Sequence, residues 1–439
     1  MHIFLSTPLS PEPLASIVSL SSPMLATAIA EDSNSLVMSC ILLNLVAIYL
    51  AAKLGGELCV RLKLPPVLGE LIGGTLVGVS VLHLLVFPGS PGTAEGSAIT
   101  GLFGTIAHLS PESLMSLFQT QSEVIANLAE LGAIVLLFEI GLESDLKELL
   151  RVGSQATIVA VVGVVVPFGL GTIGLMTIFG ISAIPAIFAG AALTATSIGI
   201  TAKVLSELGQ LQSKEGQIVI GAAVMDDILG IIVLAVVAGL AKTGEVELSG
   251  IFFLIISAAV FLIGAVCLGR FLNPFFVSTI DRMQTRGRLL ISALVIAFVL
   301  ADIASLLHLE AILGAFAAGL ILAETDKREE LFLQVKPVAD MLVPIFFVVI
   351  GARTDLSVLN PFVPENREGL AIAAFLLVVA ILGKVVTGFS VLGQSRINRW
   401  AIGVGMIPRG EVGLIFAAFG SASGILPQSL NAAIIRPFA

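Results

Sequence analysis

The stretch "GQIVIGAAVMDDILGIIVLAVVAGL" (216–240) runs for 25 residues with no charge except the adjacent pair Asp226 and Asp227. At a rise of about 1.5 Å per helical residue it is long enough to cross a hydrocarbon core about 30 Å thick. A carboxylate placed there costs on the order of 3 kcal/mol or more unless it is paired or wetted. Two of them side by side mark a working site in a membrane helix.

The rest of the chain has the same character. Of 439 residues 57% are hydrophobic and 12% charged, and the mean hydropathy is +1.07. This composition belongs to a polytopic membrane protein and gives no basis for a nucleic-acid partner. The net charge of −9 sits mostly in connecting segments and identifies no partner. Three cysteines (Cys40, Cys59, Cys267) and four histidines (His2, His83, His108, His308) are scattered without metal or redox spacing. Neither a disulfide framework nor a metal centre of that kind is expected.

Apolar runs bounded by charge, Pro or Gly predict helices near 35–57, 66–87, 122–142, 154–179, 183–205, 216–240, 248–269, 287–307, 309–323, 335–352, 370–393, 400–423 and 425–439. The ninth and thirteenth are short for a span of about 20 residues. If every run crosses, sixteen Lys and Arg collect on one side and three on the other. Because cytoplasmic loops are enriched in both, this bias puts the N-terminus outside and the C-terminus in the cytoplasm. Residues 1–34 contain "PLASIVSLSSPMLATAIA" (13–30), whose small residues resemble a cleavage site but which no Lys or Arg precedes. The segment reads as an external tail or a signal segment. The longest connection, about 88–121, is rich in Gly, Ser and Pro.

Few ionisable groups lie deep in the predicted helices, chiefly Glu139, Asp226, Asp227, Lys384, Arg409 and Glu411. Consecutive helical residues point about 100° apart, so Asp226 and Asp227 cannot both face one partner. Lys384, the lone charge of "LLVVAILGKVVTGF" (376–389), can pair with one of them. The other is then a carboxylate away from water, able to exchange a proton for a small cation. Further oxygens come from "ALTATSIGITAKVL" (192–205), where Thr194, Thr196 and Ser197 bring hydroxyls and a break before Gly199 would free backbone carbonyls. The alternative is that these hydroxyls bond back to the preceding turn. A second interruption falls in "GVGMIPRGEVGLIF" (403–416), where Pro408 and Gly410 break a helix and Arg409 and Glu411 compensate its exposed ends. Interrupted fifth and twelfth helices, each the middle of a three-helix set, suggest an inverted repeat with the site between the halves.

At these residues the chain resembles the monovalent cation:proton antiporters of the CPA-2 group, most closely the NapA-like sodium/proton antiporters. The likeness spans about residues 35–430. It is carried in order by "PPVLGELIGGTLVG", "LLFEIGLESDL", "TATSIGITAKVL", "GAAVMDDILG", "LGAFAAGLILAET", "PIFFVVIGARTDL", "LGKVVTG" and "PRGEVGLI". It implies an all-α polytopic fold of about 13 transmembrane helices, with inverted repeats and two interrupted helices crossing near mid-membrane. A membrane domain over 35–439 would hold core helices (about 154–240 and 370–439), dimerisation helices (about 35–142 and 287–352) and a linking helix (about 248–269). The core would move against the rest like an elevator.

The resemblance also implies that Asp227 carries Na+ (or Li+) and H+ in competition, while Asp226 pairs with Lys384. The hydroxyl pair maps to Thr196 and Ser197; Glu139 and Thr194 remain supporting candidates from the residues themselves. No cofactor is implied beyond the transported ions, and the protein would be a homodimer in a bacterial plasma membrane or an internal membrane. The final run departs from the pattern, since "NAAIIRPFA" (431–439) stops about a dozen residues short of a full crossing.

Exchange of K+ for H+ on the same scaffold is the close alternative, since carboxylate and hydroxyl oxygens suit either ion. A passive cation channel is a weaker one. An intramembrane aspartyl protease would need facing aspartates on separate helices, which an adjacent pair does not supply.

Overall fold

The computed structural model describes residues 12–88, 97–243, 248–354, 356, 366–391 and 397–409, and the regular elements among them are all helical. The chain begins with α1 (Glu12–Arg61), α2 (Pro66–Val77), α3 (Ala98–Ile106), α4 (Pro111–Glu143) and α5 (Leu146–Arg151). It continues through α6 (Gly153–Ile178), α7 (Ala183–Ala192), α8 (Ile198–Glu207), α9 (Lys214–Thr243) and α10 (Leu248–Arg282). The described part closes with α11 (Arg288–Leu306), α12 (Ala311–Ala323), α13 (Arg328–Arg353), α14 (Asn366–Thr387) and α15 (Arg399–Gly405). Among the described residues seven helices are long and apolar enough to cross a membrane, and four shorter apolar ones accompany them.

These helices sort by packing into two groups. In the first, α4 lies against α12 and α13, α2 against α1 and α13, and α11 against α12. Its core runs from Ile48 and Ile125 through Phe138 and Phe316 to Phe347. In the second, α6 packs on α7, α9 and α14 around Leu175, Phe188 and Leu376. The same group encloses Val159, Ile218 and Met406, where α15 meets α9. The helix α10 touches α9 on one side and α11 and α12 on the other, so it spans both groups.

In lipid no hydrophobic force separates one apolar helix from another, and close backbone approach supplies the attraction instead. Gly141 of α4 and Gly319 of α12 face each other, each leaving no room for a Cβ against the other helix's backbone. Gly55 of α1 and Gly69 of α2 meet in the same way.

Several element boundaries differ from those expected of apolar runs alone. The second run was expected to stay helical to residue 87, yet α2 ends at Val77. Gly78 there lies against the Ala352 backbone, and the Val79 N–H donates to the Ala352 carbonyl at 3.2 Å. The connection expected over 88–121 contains α3 and the first turns of α4. Ser110 starts α4 by accepting the Ser113 N–H at 3.2 Å, with Pro111 in the first helical position and Glu112 in the first turn. The helix α10 continues through Pro274 to Arg282, and α13 begins at Arg328 and passes Pro337 and Pro344. The backbone of α1 is helical from Glu12, well before residue 35. His83, His108 and His308 occupy turns with φ of 51°, 51° and 60°, a left-handed conformation at which histidine is enriched. Residues 410–439 lie outside the described residues, and the end of the twelfth predicted helix and the whole thirteenth fall there.

Gly319→Ala should therefore push α4 and α12 apart, at a cost of about 1–3 kcal/mol or more. Gly169→Ala, whose Cβ would meet nothing within 4 Å, should be neutral. Thermal unfolding of both variants in detergent checks the contrast.

Candidate functional site

The second helix group carries the adjacent aspartates on α9, and both are withdrawn from the surface, Asp226 at 0% and Asp227 at 3% exposure. Lys384, on the inner face of α14, is also fully buried. Its Nζ donates to Asp226 Oδ2 at 2.8 Å. Such a pair is neutral as a unit and ties α9 to α14, but it survives without water only while both partners are present. Gly163 of α6 makes the space, since a Cβ there would come within 3.3 Å of Lys384 Nζ. Pro167, one turn further along α6, packs on Gly383.

The helix expected over 183–205 is divided into α7 and α8, and the chain between Ala192 and Ile198 is not helical. Nothing in that segment is Gly or Pro. The break is held by hydrogen bonds to the end of α15 and the segment that follows it. Ser197 donates its N–H to the Pro408 carbonyl at 2.9 Å and caps α8 by accepting the Ile200 N–H on its hydroxyl at 3.4 Å. Thr196 Oγ1 donates to the Met406 carbonyl at 3.2 Å, and Thr201 Oγ1 to that of Gly405 at 3.2 Å. The helix α15 ends before Pro408 because proline offers no N–H and disfavours helical geometry in the residue ahead of it. The α7–α8 break and the segment after α15 thus face each other, each taking up polar groups that the other leaves without a helical partner.

Arg409 belongs to the same junction. Its Nη1 donates to the Ala195 carbonyl in the α7–α8 break, and it lies within electrostatic reach of Asp226 and Lys384. A cation is suited there, because the exposed carbonyls at a helix C-terminus carry partial negative charge. Glu411 lies outside the described residues.

Two candidates stand differently. Thr194 donates its hydroxyl to the Ala191 carbonyl at 2.8 Å, bonding back to its own preceding turn. Glu139 is buried on α4 beside a different set of charges, among them Lys203, Glu143, Asp340 and Lys336. Glu70 of α2 and Glu207 of α8 also surround Lys203. Reading the sequence by deep charges missed Glu70, although it is the single charge in "PPVLGELIGGTLVG". It missed Glu207 because that residue looks like loop.

The site therefore offers a neutralised lysine–aspartate pair, a second buried carboxylate beside it, and a junction of hydroxyls and carbonyls. That chemistry suits a small cation and a proton, with no nucleophile or redox group needed.

The family model described as "Sodium/hydrogen exchanger, transmembrane" matches residues 45–436. The chain is 65% identical over 415 residues to the high-affinity Na+/H+ antiporter NhaS3 of Synechocystis, covering 94% of this chain and 90% of that protein. It is 32% identical to the Na+/H+-K+ antiporter GerN of Bacillus cereus, over 89% of this chain and 91% of that one. The solved structure of the sodium proton antiporter MjNhaP1 from Methanocaldococcus jannaschii superposes with a TM-score of 0.57, covering 92% of this chain and 94% of that one. At 16% identity that likeness speaks for the fold alone.

Removing one partner of the buried pair leaves a bare charge in a dry site. Lys384→Ala should lower stability by about 3–5 kcal/mol, and adding Asp226→Asn should restore most of the loss. Unfolding of both single variants and the double variant closes the cycle.

Proposed function

The chain belongs to the sodium/hydrogen exchanger family, and from that membership we propose that it exchanges Na+ for H+ across a membrane by alternating access, with Asp227 as the carrier. It is an integral membrane protein and a transporter, with no reaction to catalyse. The observation that carries the site assignment is the bond from Lys384 to Asp226. It places the two adjacent buried carboxylates beside a buried lysine, and Asp227, at 3% exposure, is the one we assign to hold either a proton or a sodium ion. Thr196 and Ser197 complete the coordination from the α7–α8 break. Arg409, with Glu411 beyond the described residues, balances the ends of the interrupted helices.

The finer architecture follows the same reading. Six of thirteen crossings would form two inverted three-helix sets, one beginning with α6 and the other with α14. The second helix group would move as the core against the first, with α10 as the link and the side rich in Lys and Arg in the cytoplasm. Two copies would associate through the first group. The apolar groove of about 790 Å³ between α1 and α2, lined by Leu50, Leu54, Leu58 and Ile72, supports that placement. Potassium is the second candidate cation, favoured by the GerN relative and disfavoured by the closer likeness to NhaS3.

Asp227→Asn keeps the shape of the side chain and removes its titration, so sodium-driven proton movement in proteoliposomes should vanish while the protein still folds. Retained exchange would contradict the assignment. For the unaltered protein, competition at one carboxylate makes the apparent Km for Na+ fall about tenfold per pH unit below the titration of the cluster and then level off. Assays between about pH 6 and 9, with Na+, Li+ and K+ tested separately, measure that slope and the ion preference together.

A further inference from the structure

The last turn of α8 is fastened to the first helix group at two points, away from the aspartate–lysine pair. Glu207 Oε2 accepts the N–H of Val67, in the first turn of α2, at 3.2 Å. The helix α2 starts after Pro65 with no side-chain cap of its own. A carboxylate from α8 thus supplies the acceptor and the negative charge that the N-terminus of α2 calls for. One residue earlier, Ser206 Oγ donates to Glu143 Oε2 at 2.7 Å, at the end of α4. That end is itself fixed, because Arg328 of α13 donates to the carbonyls of Leu142 and Glu143 at 2.8 and 2.7 Å.

Lys203, one turn back on α8, lies 3.8 Å from Glu207 and near Glu70 and Glu139. These groups are largely enclosed, with Glu207 14% and Lys203 22% exposed. The opposite end of α8 is Ser197, bound to Pro408 just past the end of α15. The helix is only about 15 Å long and rigid, so one end cannot shift far without the other.

We propose that Glu207 and Ser206 form a clasp that holds α8 to α2 and α4 in one transport conformation and lets go in the other. The proposal rests on the alternating-access reading above. A hydrogen bond is lost once donor and acceptor separate beyond about 3.5 Å, so a slide of α8 past α2 and α4 larger than the side chains can follow breaks both contacts. An interaction made in only one of two states shifts their populations by its own free energy, and the clasp therefore sets how the resting protein divides between them. Glu207 and Ser206 are positioning residues that touch no ion.

The test uses the full chain in oriented proteoliposomes, with Na+ varied first on one face and then on the other to give two apparent Km values. Glu207→Ala and Ser206→Ala should each change the ratio of those values about threefold or more, both in the same direction. Glu207→Gln, whose amide oxygen still accepts the Val67 N–H, should stay near the unaltered ratio. A merely structural role would reduce the amount of folded transporter and leave the ratio where it was. An unchanged ratio in both alanine variants, or shifts in opposite directions, overturns the clasp while the antiport reading stands. Absence of exchange in the unaltered protein overturns the antiport reading and the clasp with it.

Discussion

A lysine and an aspartate meet at 2.8 Å with neither side chain exposed, and this contact governs the second helix group. Burying either charge alone would cost several kcal/mol, so each residue is tolerable only because the other is there. The pair fixes the spacing of α9 and α14, and α6 must supply Gly163 where a larger residue would press on the ammonium. It also sets the two neighbouring carboxylates in different surroundings. With Asp226 held by Lys384, Asp227 occupies an equally dry place on the same helix with a different direction of approach.

The junction at the α7–α8 break follows from the same shortage of water. A helix that stops inside a membrane leaves carbonyls and N–H groups unbonded, and these are accommodated only in the protein interior or along a wet cavity. Here the break between α7 and α8 and the segment after α15 bond to each other through Ser197, Thr196 and Thr201. Arg409 brings positive charge to the carbonyl side. The junction is thereby packed and polar at once. At the far end of α8 lies a second polar cluster, this one shared with the first helix group. One short helix links the proposed ion site to the boundary along which the two groups would slide.

Much of this could be read from the chain because charge is so scarce in it. Asp226, Asp227, Lys384 and Arg409 stand out among apolar neighbours, and the structure brings Lys384 against Asp226 and Arg409 against the α7–α8 break. The membrane class and most helix positions follow from apolar runs for the same reason. Where apolarity does not change, boundaries were illegible. The end of α2 at Val77 depends on the backbone of α13, a tertiary contact with no local signature. The start of α4 was legible in Ser110, Pro111 and Glu112, but a count of apolar residues passes over capping chemistry. Glu207 was hidden because a carboxylate after an apolar run looks like loop, and its partner is a backbone N–H 140 residues away.

On this reading a proton and a sodium ion exclude each other at the buried aspartate beside the lysine pair. Calorimetric titration of the detergent-solubilised protein with Na+ tests this most directly, when repeated in buffers of different ionisation enthalpy to count protons released on binding. About one proton should be released per Na+ bound near the titration of the cluster, and none in Asp227→Asn, which should not bind the ion. Sodium binding with no proton released at any pH would contradict it.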